Sequence, residues 1–321
     1  MQRKPRAFLC RRFTPAVEAE LHRRYDLAVN EDDTILPPQR IAELAVGAEV
    51  LFATATESVN AELIQHLSPA LKSIATLSVG YNHIDLDEAR GRGIRVLHTP
   101  DVLSEACAEI AMLLVLNACR RGHEANQMVR TGAWPGWAPT QLLGKGLVGR
   151  RLGILGMGRI GRAIAERATG FGLAIHYHNR SQLAPDLEAG ATYHARAEGL
   201  LAASDILITA APGVPELKGF LNRERIALLP QGAVVVNISR GDLVDDDALI
   251  EALQSGRVFA AGLDVFSNEP DIDPRYRTLP NAFLTPHIGS ATHETRDAMG
   301  WLLIQGLQAL DRGETPDNLL T

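Results

Sequence analysis

Short apolar runs of strand type alternate with helix-type segments along most of the chain. Ala7–Cys10 reads as a strand and Thr14 to Arg24 as a helix, because Thr14-Pro15 makes a good helix start. Further strands are expected at Val50–Ala53, Ser73–Leu77 and Arg95–Leu97, with helices near Pro38–Ala45 and Asn60–Leu67. This alternation predicts a first α/β unit on a parallel sheet. Around Thr99-Pro100-Asp101 the pattern changes to a long helix over roughly 102 to 121, apolar at Ala108, Met112, Val115 and Leu116. Thr131 to Leu143, with Trp134, Pro135, Gly136, Trp137 and Pro139, reads as an irregular, structured loop. A second α/β run follows, with strands Leu152–Leu155, Leu173–Tyr177, Ile206–Thr209, Ala233–Ile238, Phe259–Gly262 and Ala282–Leu284 and a helix over Asp245 to Gln254. A final helix spans about Ser290 to Asp311, and the tail from Gly313 to Thr321 is too short for a domain of its own.

The second run opens on Leu152-Gly153-Ile154-Leu155-Gly156-Met157-Gly158-Arg159-Ile160-Gly161, a strand ending in Gly-x-Gly-x-x-Gly with a helical pattern behind it. Each glycine has a task. Gly156 permits the tight turn, Gly158 lets backbone approach a pyrophosphate, and Gly161 lets the helix lie close to the strand. The helix start presents N–H groups and a positive dipole end to the phosphates. An ordinary βα turn would need neither the strand before nor the helix after. Six strands behind such a fingerprint predict a Rossmann domain.

Length and composition narrow the function classes. With 321 residues, two domains are expected, each able to bury a core. A formal charge of −6 and an isoelectric point near 5.9 give no reason to expect nucleic acid or an anionic membrane as partner. Cys107 and Cys119 share one predicted helix, roughly 18 Å apart at 1.5 Å per residue, too far to bridge. Reduced thiols and a cytoplasmic location are therefore expected. The basic start, Met1 to Arg6, leads into only four apolar residues, which is no signal peptide. The apolar stretch Ile110 to Leu116 is too short for a membrane span.

An acid about 20 residues past the glycines would grip the ribose hydroxyls of NAD. Here the second strand ends in His178-Asn179-Arg180-Ser181, with no acid. A guanidinium and a hydroxyl suit a 2′-phosphate, which a carboxylate would repel, so NADP(H) is expected over NAD(H). A surface Arg after an edge turn is the plain alternative. His176 and His178 share one face of this strand, but no further ligand pattern accompanies them, so no metal site is expected.

Three later segments place chemistry just after apolar strands: Asn237-Ile238-Ser239-Arg240-Gly241, Gly262-Leu263-Asp264-Val265 with Glu269-Pro270, and Pro286-His287-Ile288-Gly289-Ser290-Ala291-Thr292. Each alone has a dull explanation, a snorkelling Arg, a capping Asp, a solvated Glu or a satisfied His. Together they stand at the strand ends where ligands bind such a sheet. Gly80, in Ser78-Val79-Gly80-Tyr81-Asn82-His83, holds the equivalent place in the first unit.

With these segments and the glycine fingerprint, the chain resembles the D-isomer-specific 2-hydroxyacid dehydrogenases over nearly its whole length. Trp134-Pro135-Gly136-Trp137, Asn179-Arg180 and Pro286 to Thr292 look most like the NADPH-dependent glyoxylate/hydroxypyruvate reductases within that family. The resemblance implies two Rossmann-like, doubly wound domains, with the NADP-binding domain (residues 101–287) inserted into the substrate domain (1–100 and 288–321). The cleft between them would hold cofactor and substrate. Arg240 would hold the substrate carboxylate and polarise its keto oxygen, His287 would be the general acid, and Glu269 its orienting partner. Val79 and Gly80 would offer backbone N–H groups to the carboxylate. Cofactor contacts would come from Gly156, Gly158, Arg159, Ile160, Gly161, Asn179, Arg180, Ser181, Pro212, Ile238, Asp264 and Gly289. The resemblance also implies a homodimer, with Trp137 reaching the partner's site.

Physical chemistry supports this cast. Reducing a 2-keto acid builds negative charge on the carbonyl oxygen, which calls for a fixed cation and a proton donor. Glu269 fits this, whereas a Gln there would point to formate-oxidising relatives, which need no proton transfer. A broader 2-keto acid reductase shares Arg240 and His287, and a dinucleotide-sensing binding protein shares the fold.

Overall fold

The computed structural model describes residues 3–321; Met1 and Gln2, in the basic start, lie outside the described residues. The chain forms two units, the first ending at Leu103 and resuming at Ser290, the second Ser104–Gly289. The first unit holds β1 (Arg6–Leu9), α1 (Pro15–Arg24), β2 (Asp26–Val29), α2 (Pro38–Leu44), β3 (Val50–Ala53), α3 (Ala61–His66), β4 (Ser73–Thr76), α4 (Leu86–Gly91) and β5 (Arg95–Leu97). Its strands lie in the order β2-β1-β3-β4-β5, every pair parallel. The order reverses between β1 and β3, which makes the sheet doubly wound. β3 and β4 are buried at every residue, as unbroken apolar runs require in a parallel sheet. β2 was not expected; it is a half-buried edge strand with no such run.

The second unit holds α5 (Ser104–Arg120), α6 (Gly122–Arg130), β6 (Arg151–Leu155), α7 (Arg159–Thr169), β7 (Ala174–His178), α8 (Pro185–Glu188), β8 (Thr192–Tyr193), α9 (Ala197–Ala203), β9 (Ile206–Thr209), α10 (Arg223–Leu228), β10 (Ala233–Asn237), α11 (Asp246–Gln254), β11 (Val258–Leu263) and β12 (Ala282–Leu284). The sheet runs β12-β11-β10-β9-β6-β7-β8, again wholly parallel, with its switch point between β6 and β9. It has seven strands where six were expected; β8, two residues long, is too short to leave a pattern. Successive residues of β10 face opposite layers. Val234 and Val236 pack with α5 and α7 residues such as Ala108 and Ile164, while Val235 packs with Leu200 of α9 and Leu249 of α11. Two α/β domains on parallel sheets are thus the architecture, as expected.

The chain then returns to the first unit as α12 (His293–Asp311). The helix begins after Thr292, whose side chain caps it by accepting from Thr295 N, and not at Ser290. It packs on α1 at Gly300, where a Cβ would lie 2.5 Å from Val17 Cγ2. The units divide at Leu103/Ser104 and Gly289/Ser290, beyond the expected 100/101 and 287/288. The first shift follows from α5 opening at Ser104, the second from Ile288 and Gly289 bonding back to Asp264. Among the described residues no helix is long and apolar enough to cross a membrane.

Candidate active site

Because every strand of the seven-stranded sheet is parallel, its loops after β6, β7, β9, β10, β11 and β12 gather at one edge. After β6, Gly156 turns the chain at φ +98°, and its missing Cβ would lie 2.7 Å from backbone N and Cα of Ala211. At Gly161 a Cβ would stand 2.3 Å from the Gly156 carbonyl oxygen. Gly158 is different, exposed and with nothing within 4 Å of a Cβ, so backbone there is open to a close approach. It is also the N-cap of α7, and no side chain caps that helix. Two close packings and one open face are what a pyrophosphate cradle requires, and the turn fits a dinucleotide.

After β7, Asn179 does structural work. Its Oδ1 accepts from Met157 N at 2.7 Å, between the first two glycines, so it clamps the turn. Arg180 and Ser181 are exposed, and Arg180 pairs with no acid among the described residues. His176 and His178 do lie on one face, and each meets His194: His176 Nδ1 stands 2.9 Å from His194 Nε2, and His178 Nδ1 is 2.8 Å from the His194 carbonyl. Among the described residues no group of three His, Cys, Asp or Glu could hold a metal. Pro212 and Ile238 follow β9 and β10 on the same edge.

Arg240 follows β10 on a turn tied from inside. Asn237, buried at the strand end, accepts from Thr209 Oγ1 (2.7 Å) and Ser239 N (3.0 Å) and donates to the Arg240 carbonyl (2.9 Å). Gly241 closes the turn against the backbone of Phe266, where no side chain fits. The Arg240 guanidinium donates to the Ser239 carbonyl at 2.8 Å. Burial lowers its pKa from the usual value, and the charges of Glu269, Asp242 and Cys107 oppose that. A guanidinium still holds its proton at neutral pH, so this is a desolvated, permanent cation.

Asp264, after β11, is 2 % exposed and organises the loop after β12. Its Oδ1 accepts from Thr285 Oγ1 (2.6 Å) and Ile288 N (2.8 Å), and its Oδ2 from Gly289 N (2.8 Å). Burial raises its pKa, and these bonds work against that rise. Between those anchors sits His287, at φ +54°, a conformation that a non-glycine residue holds only when its surroundings impose it. Its Nδ1 is 2.7 Å from Glu269 Oε2, while Glu269 Oε1 accepts from Phe266 N at 2.8 Å. Burial pushes the Glu269 carboxyl up, but the bond and charge of His287, with help from Phe266 N and Arg240, hold it below the usual range. Glu269 therefore stays anionic through neutral pH, acting on both His287 and Arg240. With Nδ1 engaged, Nε2 is the nitrogen left to exchange a proton with a ligand.

The structure thus brings Arg240, Glu269, His287 and Asp264 together within the second unit. Val79 and Gly80 belong to the first, on the loop after β4, where their carbonyls are held by His98 Nδ1 (3.0 Å) and Ser78 Oγ (2.7 Å). Neither amide N–H has a printed partner inside the unit, which leaves both available to an anion. Trp137 is 82 % exposed on a loop exposed from Thr131 to Thr140. Sequence reading missed the Asn237 and Asn179 clamps, although both residues lie inside the segments it singled out.

Comparison with known proteins agrees with this geometry. The family profile of the D-isomer specific 2-hydroxyacid dehydrogenase, NAD binding domain, matches residues 112–289. The chain belongs to this family. A glycerate dehydrogenase from Hyphomicrobium methylovorum is 42 % identical, over 88 % of this chain and 89 % of that one. A solved Polaromonas sp. structure described as a D-isomer specific 2-hydroxyacid dehydrogenase, NAD-binding, superposes with a TM-score of 0.96 at 72 % identity, covering 99 % and 100 % of the two chains. An NADPH-dependent glyoxylate/hydroxypyruvate reductase from Sinorhizobium meliloti, solved with NADP and malonate, gives 0.88 at 33 % identity, covering 99 % and 97 %. In this 2-hydroxyacid dehydrogenase the seven-stranded unit carrying Gly156 to Gly161 is the dinucleotide-binding domain.

Proposed function

We propose that this dehydrogenase reduces the small 2-keto acids glyoxylate and hydroxypyruvate with NADPH, giving glycolate and D-glycerate. The observation that carries the reading is the 2.7 Å contact of His287 Nδ1 with Glu269 Oε2, on the sheet edge that also presents Arg240. Gly156, Gly158 and Gly161, with Arg159, Ile160, Pro212, Ile238 and Gly289 on the same edge, would hold the cofactor, which when bound supplies the hydride. Arg240 clamps the substrate carboxylate and stabilises the charge that develops on the keto oxygen. His287 delivers a proton from Nε2 to that oxygen as the C–H bond forms, so the carbonyl gains one hydride and one proton. Glu269 holds the imidazole in register and offsets the cation before transfer. A protein that only sensed dinucleotides would have no use for this acid–base pair.

NADPH over NADH rests on Arg180: exposed, unpaired with any acid, and next to the residue that clamps the glycine turn. Its fork geometry suits a 2′-phosphate. Arg180→Ala is expected to lower kcat/KM with NADPH by roughly 10-fold or more, in line with losing one charge-assisted contact of 1.5–3 kcal/mol, and to leave NADH nearly unaffected. Initial rates with glyoxylate and each cofactor decide this. A wild-type preference for NADH, or equal losses with both cofactors, contradicts the assignment.

The protein is further proposed to be a homodimer through α5, α6 and the Trp-rich loop. There Val129 (64 %), Trp137 (82 %), Leu143 (62 %) and Val148 (85 %) stand exposed, more apolar surface than a monomer ordinarily leaves in one stretch. Light scattering should report twice the chain mass; a monomer at micromolar concentration contradicts it.

A further inference from the structure

Glycines of the second unit fall into two kinds. Gly190 and Gly219 have φ of +82° and +61° and empty space where a Cβ would go, so they serve the conformation of the backbone. Gly213, on the loop after β9, is the opposite case. Its φ lies outside the left-handed region, so backbone conformation does not call for glycine there. Space does. A Cβ on Gly213 would lie 2.6 Å from Cγ of Arg240, 3.5 Å from its Cδ and 3.4 Å from its Nε.

Those atoms are the root of the Arg240 side chain and not its flexible end. Relief by backbone movement is closed from both sides. The Arg240 carbonyl is held by Asn237 Nδ2, and Gly241 abuts Phe266. The Gly213 loop is pinned by Ala210 N donating to the Leu155 carbonyl at 2.8 Å, by Ser239 Oγ donating to the Ala211 carbonyl, and by Ala211 packing on Gly156. What remains is rotation about χ1 of Arg240, which carries the whole guanidinium away from its place and breaks its bond to the Ser239 carbonyl.

We propose that Gly213 is a positioning residue for the reaction: its missing side chain leaves the channel in which the Arg240 stem lies, and so fixes where the guanidinium meets the substrate. The inference rests on the role of Arg240 set out above. It also explains why an exposed, conformationally ordinary position carries a glycine.

A double-mutant cycle on the full-length enzyme tests it, with Gly213→Ala, Arg240→Ala and the double variant assayed on glyoxylate and NADPH. Gly213→Ala is expected to lower kcat/KM roughly 10²-fold, as a misplacement of about 1 Å can, with KM raised. Its melting temperature and NADPH Kd should stay close to wild type. Added to Arg240→Ala, it should cost less than about twofold more, because the partner it positions is gone. A Gly213→Ala enzyme of wild-type kcat/KM overturns the proposal, as does a loss that persists undiminished in the Arg240→Ala background or one matched by weaker NADPH binding. Arg240→Ala alone separates the two levels: if it keeps wild-type kcat/KM, the role of Arg240 falls first, and the positioning role of Gly213 with it.

Discussion

His287→Ala is expected to lower kcat for glyoxylate reduction by roughly 10²-fold or more, the usual cost of losing a positioned general acid. NADPH binding should survive, because the glycine turn and Asn179 lie on other loops of the sheet edge and make no bond to the imidazole. The loop after β12 should also hold its shape. Its anchors are the Asp264 bonds to Thr285, Ile288 and Gly289, none of which uses the His287 side chain. A large fall in kcat with unchanged NADPH Kd therefore isolates proton transfer. An unchanged kcat rules out His287 as the acid.

Arg240→Ala should be more damaging still and should act on both kinetic constants. The guanidinium meets the carboxylate in the ground state and the developing oxyanion in the transition state, so KM rises and kcat falls together. A charge-assisted bidentate contact in a desolvated setting is worth about 4 kcal/mol here, or roughly 10³-fold in kcat/KM. Arg240→Lys restores the charge but not the fork, and should recover only part of the loss. A variant whose KM alone changed would place Arg240 in substrate capture and outside catalysis. Steady-state kinetics on glyoxylate at saturating NADPH make the distinction.

Much of this arrangement was legible in the sequence because parallel sheets convert order into position. Apolar runs such as Val50–Ala53 and Ile206–Thr209 could only be buried strands, and whatever followed each had to lie at the ligand-binding edge. Hence Arg240, Glu269 and His287, widely separated in the chain, could be gathered in advance. The misses have equally physical causes. β8 has two residues, and α6 buries none of its side chains, so neither leaves a hydrophobic signature. Asn179 and Asn237 read as polar strand ends; that each clamps a turn depends on distances between loops, which no local pattern carries. Asp264 read as a cofactor contact, and the structure adds that its oxygens already hold the His287 loop. Gly213 looks like any loop glycine until the Arg240 stem is seen beside it.

The central claim is that the Arg240, Glu269 and His287 edge of this dinucleotide-binding sheet reduces small 2-keto acids with NADPH. The most direct test is NADPH oxidation by the purified protein against a panel of glyoxylate, hydroxypyruvate, pyruvate and larger 2-keto acids. The account predicts the highest kcat/KM for glyoxylate and hydroxypyruvate, and higher with NADPH than with NADH. Turnover of no member of the panel, with either cofactor, would contradict it.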